Sequence, residues 1–211
     1  SVLGNDYIAT KDINSSLYAV QLFSTSQNIA NSIDDDSVDE LAVIHGIVDT
    51  IAKLNEDETF SLGSDDSSEG KGISDVINST VTNSNIDSSS VDSNVFSNIA
   101  QFIASINTEI IQIGSNNALN GSSFEDAFTD IKKLSVASNE AIVNTEDSSI
   151  DFTLSNEDFA SGLNSIVEEV TKAADNVEIK TISQPRTILQ AFPIALNTIA
   201  MTIHSYDVLR E

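Results

Sequence analysis

The stretch Phe96-Ser97-Asn98-Ile99-Ala100-Gln101-Phe102-Ile103-Ala104-Ser105-Ile106-Asn107-Thr108-Glu109-Ile110-Ile111-Gln112-Ile113 decides the fold. Phe96, Ile99, Ile103, Ile106, Ile110 and Ile113 recur at steps of three and four, the spacing that puts side chains on one face of an α-helix. Phe102 widens this stripe. Isoleucine is not a strong helix former, so a helix with this many must draw its stability from burial rather than from propensity. A continuous stripe of this length needs partners on more than one side. The reading is therefore a long helix at the centre of an all-α bundle, with Gly114 as its natural stop.

Toward the N-terminus, Ile13, Leu17, Val20, Phe23, Ala30 and Ile33 predict an amphipathic helix from about Thr10 to Ile33, ended by Asp34, Asp35 and Asp36. Ser37-Val38-Asp39-Glu40 reads as a capping box, in which a hydroxyl and a carboxylate each satisfy an exposed backbone N–H. Leu41, Ile44, Val48 and Ile51 then predict a second helix to about Leu54, weakened slightly by Gly46. From Asn55 to Gly72 the periodicity stops. Acidic residues are mixed there with Ser and Gly, and an exposed loop over 55–72 is expected. A short helix is predicted from Ile73 to Val81, ahead of a Ser- and Asn-rich stretch from Thr82 to Ser90.

Toward the C-terminus, Asn120-Gly121 signals a turn, and Ser122 or Ser123 with Glu125 or Asp126 caps the next helix. Its buried side carries Phe124, Phe128, Ile131, Ala141 and Ile142, with Ser135 and Ser138 diluting the middle. Thr145 to Thr153 reads as a loop. Ser155-Asn156-Glu157-Asp158 opens another helix, with Phe159, Leu163, Ile166, Val170 and Ala174 on one face. A last helix is expected from Pro185, lined by Ile188, Leu189, Phe192, Leu196, Ile199 and Ile203 and kinked at Pro193. The whole, residues 1–211, is expected to be a single helical domain, an irregular bundle of five to seven helices.

The composition explains why such a bundle stays in solution. There are 33 acidic residues against 9 basic ones, a net charge of -24, yet 40% of the residues are apolar, enough to form a core. Nucleic acid is excluded as a partner, because neutralising phosphates requires clustered Lys and Arg. Anionic membranes would repel the chain for the same reason. The longest apolar segment, Ile188 to Ile203, is broken by Gln190, Pro193, Asn197 and Thr198, short of the ~20 residues a membrane span needs. There is no cysteine, so disulfides and thiolate metal sites are excluded. A chain beginning at Ser1, with no charged and apolar leader, is read as a processed chain or an excised segment of a longer one.

Motifs for catalysis are missing. No Gly-x-Ser-x-Gly elbow accompanies the many serines, and only His45 and His204 could act as bases. His45 is expected on or beside the buried face of the second helix. Neither histidine belongs to a zinc-binding pair. Calcium suits the carboxylates better, and the candidates are Asp34, Asp36 and Asp39, with Asp35 and Glu40 beside them, and Asp65 and Asp66 in the acidic loop. Neither cluster has EF-hand spacing, and the preferred reading of both is solvated loop charge with Asp as a helix-start residue. Paired carboxylates for sugar chemistry lack aromatic platforms: there is no Trp, and the phenylalanines fall on predicted core faces. Gly70-Lys71-Gly72 is too short to cradle a phosphate. Asn14-Ser15-Ser16, Asn78-Ser79-Thr80 and Asn120-Gly121-Ser122 fit the glycosylation pattern and are permissive of secretion. No cofactor is implied.

Ser93 to Phe102, Ser122 to Phe128 and Ser155 to Leu163 each open a helix with a serine cap followed by Phe and Ala. With the absence of Cys and Trp, this resembles the globular helical repeat domains of spider silk proteins. The resemblance implies a helical bundle that remains soluble and then assembles. This chain departs from it in its Asp, Asn and Ile content and in having no Gly-rich or poly-Ala tract. Acidic helical segments of secreted microbial adhesins are a second resemblance. The function expected is a non-enzymatic structural or assembly module of a secreted, repetitive protein, whose partner is a further copy of itself. The alternative is a helical carrier enclosing an apolar ligand.

Overall fold

The computed structural model describes residues 13–33, 38–56, 58–63, 70–86, 92–119, 124–143 and 150–179. Within them the chain is all-α, as its periodicity predicts. The helices are α1 (Ile13–Ser32), α2 (Glu40–Ala52), α3 (Ile73–Asn83), α4 (Ser93–Leu119), α5 (Phe124–Val143) and α6 (Asn156–Ala174). Two short strands, β1 (Thr59–Phe60) and β2 (Gly70–Lys71), pair in parallel between α2 and α3. The helix expected from Pro185 and the turn expected at Asn120-Gly121 lie outside the described residues.

The long helix is central, as its stripe requires. α4 packs against α1, α3, α5 and α6, and α5 against α1, α4 and α6. α1 and α6 each cover the α4–α5 pair, and the α2–α3 hairpin leans on α1 through α2 and on α4 through α3. Ile99, Phe102, Ile103, Ile106 and Ile110 are all buried along α4. Full burial of one such side chain is worth about 1.5–3 kcal/mol relative to exposure. That is enough to overcome the weak helix propensity of isoleucine.

Two glycines mark close approaches between helices, and one of them corrects an expected helix end. α4 does not stop at Gly114 but continues to Leu119. The glycine is there for close approach: a Cβ at this position would run into the Leu17 side chain of α1. Gly46 has the same role between α2 and α3, where a Cβ would collide with the Thr80 hydroxyl and lie 3.1 Å from both the Thr80 nitrogen and the Val76 oxygen. Its small cost to helix propensity is the cost of that contact.

The helix ends follow their capping chemistry. α2 starts at Glu40, and Asp39 rather than Ser37 is its cap, the Asp39 carboxylate accepting from the Ala42 N–H at 2.8 Å. Ser37 lies outside the described residues. At α3 the Asp75 carboxylate accepts from the Gly72 N–H at 3.0 Å. Ser155 caps α6 as expected, accepting from the Asp158 N–H at 3.2 Å while its hydroxyl donates to the Asp158 carboxylate at 2.7 Å. α3 ends in a left-handed turn at Asn85, φ 56°. There the Ile86 N–H donates to Val81 O at 3.1 Å and the Asn85 N–H to Thr82 O at 3.2 Å, the paired bonds of a Schellman ending.

The buried face of α2 is Val43, Gly46, Ile47 and Thr50. The stripe Leu41, Ile44, Val48 and Ile51 forms its flank, with Leu41 exposed. The helix has apolar residues on most sides, so periodicity alone does not single out the face that packs on α3. Two connecting segments also contribute to the core. Phe60 and Leu62 pack against it from the stretch after α2. Ile150 and Phe152, in the segment read as a loop, are buried. Phe152 stands edge-on to Phe102 with ring centroids 5.8 Å apart and lies 5.6 Å from the Phe159 ring.

Candidate functional site

The described core contains no charged side chain. Every described Asp, Glu and Lys is exposed or half-buried. The buried polar groups are instead amides and hydroxyls. Gln21, Ser24, Thr25 and Asn28 recur on α1 at steps of three, one and three, and all are buried. They form a polar seam on the face α1 turns toward α4 and α5. The Gln21 side-chain amide donates to Asn107 O at 2.9 Å. Asn107 Nδ2 donates to Thr25 Oγ1 and to Leu62 O, both at 2.8 Å. Asn28 Nδ2 donates to Ser138 Oγ of α5 at 3.2 Å. Ser135 and Ser138 therefore do not dilute the α5 face; they are buried parts of this seam.

A second polar bracket lies on α4. Asn98 Nδ2 donates to Phe152 O at 3.0 Å and to Leu154 O at 2.8 Å. One amide thus holds the turn that enters α6, with Thr153 between the two bonded carbonyls in sequence. In the α2–α3 hairpin, Thr50 Oγ1 donates to Gly46 O at 2.8 Å and lies 3.2 Å from Ser79 Oγ.

The surface carries the charge. Among the described residues, the ion pairs Lys53–Asp49 at 2.6 Å, Lys71–Asp75 at 3.3 Å and Lys172–Glu168 at 3.6 Å each join residues four apart in sequence. Exposed pairs of this kind contribute about 0.3–0.5 kcal/mol each, so they localise lysine charge more than they stabilise the fold. The Lys132 ammonium sits 5.3 Å over the Phe128 ring. Glu58 is held below the usual carboxylate range by the Asn55 backbone N–H, which donates to it at 2.9 Å. Asp151 is lowered by the Thr153 hydroxyl, 2.6 Å away, and then by the Thr153 backbone N–H.

Of the calcium candidates only Asp39 falls among the described residues. Asp39 is exposed and its carboxylate is occupied as the α2 cap. Asp34, Asp36, Asp65 and Asp66 lie outside the described residues. Among the described residues no three His, Asp or Glu side chains gather as metal ligands do. His45 is solvent-exposed on α2 rather than on or beside its buried face, because the helix turns Val43, Gly46 and Ile47 inward. His204 lies outside the described residues. Of the glycosylation patterns, Asn78 is exposed on α3, whereas the Thr80 hydroxyl is buried and donates to Val76 O at 2.8 Å.

The described residues line, among others, two surface grooves of about 260 Å³ each. One runs between α4, α5 and α6 over Ile113, Leu134 and Ala174, with Asp130, Lys133 and Asp175 at its lip. The other, between α2 and α3, is lined by hydroxyls, amides, Lys53, Lys71 and Asp75. Among the described residues no helix is long and apolar enough to cross a membrane.

The polar seam is the feature sequence reasoning missed. Its signal was present: Gln21, Ser24, Thr25 and Asn28 occupy helical spacing in phase with Leu17. Ser, Thr and Asn also fill exposed positions throughout this chain, so the spacing does not distinguish the buried set. No protein-family model, curated protein or solved structure matches this chain.

Proposed function

We propose that this chain is a non-enzymatic structural module of a secreted, repetitive protein, of the silk-like or adhesin-like kind, whose activity is association with further copies of itself. The observation that carries the reading is the complete separation of charge from core: a described interior of apolar, amide and hydroxyl groups inside a surface that holds every described carboxylate. A net charge of -24 on such a surface keeps copies apart at neutral pH. Carboxylates ordinarily titrate near pH 4, so protonation lowers the barrier as pH drops toward 5 to 4. Salt reduces it as well, the Debye length being about 8 Å at physiological ionic strength. The described interior holds no charged side chain to titrate during this transition, so the fold is expected to persist while its surface neutralises.

The carrier alternative expects an enclosed apolar cavity. The two grooves, at 260 Å³ each with charged lips, are smaller than the roughly 300–1,000 Å³ typical of ligand sites. They favour it less than the charge separation favours assembly. Static light scattering from pH 7.5 to 4.5, with circular dichroism on the same samples, tests the proposal. The expected result is a rise in mass while helicity is unchanged. A chain that stays monomeric until it unfolds overturns it.

A further inference from the structure

We propose that the interface of α1 with α4 and α5 is an internal water-binding site, in which ordered water donates to Asn28 Oδ1 and Asn107 Oδ1, and that Asn98 Oδ1 holds a further water beside the anchor of α6. The starting observation is that these three amide oxygens are buried without a donor from the described protein. All three asparagines are completely buried.

The orientation of each amide follows from its neighbours. Asn107 faces the carbonyl of Leu62 and Asn98 faces the carbonyls of Phe152 and Leu154. A carbonyl has no proton to give, so in both residues the nitrogen must face it and the oxygen must point away. Asn28 faces Ser138 Oγ, whose proton is committed to Ser135 O at 2.9 Å. Ser138 can therefore only accept, and Asn28 too must present its nitrogen. Rotating any of the amides by half a turn would set oxygen against oxygen.

What the oxygens receive must then be a donor that is small and neutral. No Lys, Arg, Asp or Glu is among the buried described residues. Buried polar atoms are satisfied almost without exception, and internal water makes about three hydrogen bonds to groups of this kind. The hydroxyls of Ser24 and Ser138 receive the Nδ2 of Asn28, and the Thr25 hydroxyl that of Asn107, so the donor is needed on the oxygen side of each amide. Water is thus a structural component that sets how α1 lies on α4 and α5. The inference does not depend on whether the chain assembles.

Water-to-protein cross-relaxation on the isotope-labelled full chain tests it. Measured in the rotating frame, direct contact with water and proton exchange have opposite signs. The expected result is direct-contact cross-peaks at the side-chain amide protons of Asn28, Asn98 and Asn107 and at the Thr25 methyl. In Asn107→Leu the Thr25 peak disappears while the Asn98 peak remains as the internal control. Asn28→Leu gives a second, independent variant, in which the Asn98 peak is again retained. Resolved amide signals without direct-contact peaks in the parent chain overturn the proposal. So does a Thr25 peak that persists in Asn107→Leu.

Discussion

Gly114 of α4 lies against Leu17 of α1 so closely that there is no room for a Cβ between the helices. The long central helix and the first helix are thus brought together by a missing side chain. Substituting Gly114→Ala would improve helix propensity by about 0.8–1.0 kcal/mol. It would also force the buried Leu17 to repack, at about 1–3 kcal/mol. The repacking term is the larger, so a net loss of roughly 1 kcal/mol is expected in urea denaturation. At Gly46 the added Cβ meets backbone atoms of α3 as well as a hydroxyl, and backbone moves less readily than a leucine tip. Gly46→Ala should therefore lose more stability than Gly114→Ala. The reverse order would mean that the α2–α3 contact is looser than its geometry.

The same pair shows how much of the fold was legible. The Phe96–Ile113 stripe and the Ser155 cap each carry their structural meaning in one segment: a period, or a hydroxyl three residues before its donor. The role of Gly114 depends on Leu17, and that of Asn98 on Phe152, residues far apart in sequence. No local pattern distinguishes a glycine that ends a helix from one that admits a neighbour. Similarly, Ser138 reads as a weak point in an apolar stripe until Asn28 is known to stand opposite it. Of the calcium candidates, Asp39 illustrates the converse: an acid in a cluster also stands in the right place to cap α2, and one of its carboxylate oxygens accepts the Ala42 N–H.

Asn98→Ala removes the donor for two carbonyls at once. A buried acceptor left unpaired costs about 1–3 kcal/mol, and the truncation also leaves a small void. A loss of about 2–4 kcal/mol is expected. Since the carbonyls belong to the segment entering α6, the loss should be uneven. Hydrogen exchange at Phe159 and the amides after it should accelerate more than at Ile103 and Ile106 in the middle of α4. Uniform acceleration would indicate that Asn98 supports the whole bundle rather than the α6 anchor.

Asn85, at φ 56°, closes the Schellman ending of α3. Asparagine tolerates the left-handed region and glycine occupies it freely, whereas a β-branched side chain is strained there. Asn85→Gly is expected to leave the melting temperature unchanged or slightly raised. Asn85→Val should lower stability by about 1–2 kcal/mol through this strain. Equal behaviour of the two variants would count against the left-handed assignment.

The response to acid can be divided between folding and association. Glu58 and Asp151 have folded-state pKa values below their ordinary ones, the first through the Asn55 backbone N–H and the second chiefly through the Thr153 hydroxyl. A lowered carboxylate pKa means the unfolded chain binds protons more readily. The stability these groups add is therefore present above the unfolded pKa values, near 4, and lost as pH falls through the lower folded values. Both groups lie outside the core, so their loss should move the urea midpoint only modestly between pH 5 and pH 3. Asp151→Asn should make that decline shallower, and Thr153→Ala should do the same by removing the donor. Association, by contrast, depends on neutralising the whole surface and should begin at the same pH in both variants. If either variant shifted the onset of light scattering together with the urea midpoint, association would be following partial unfolding of the α6 anchor rather than surface neutralisation.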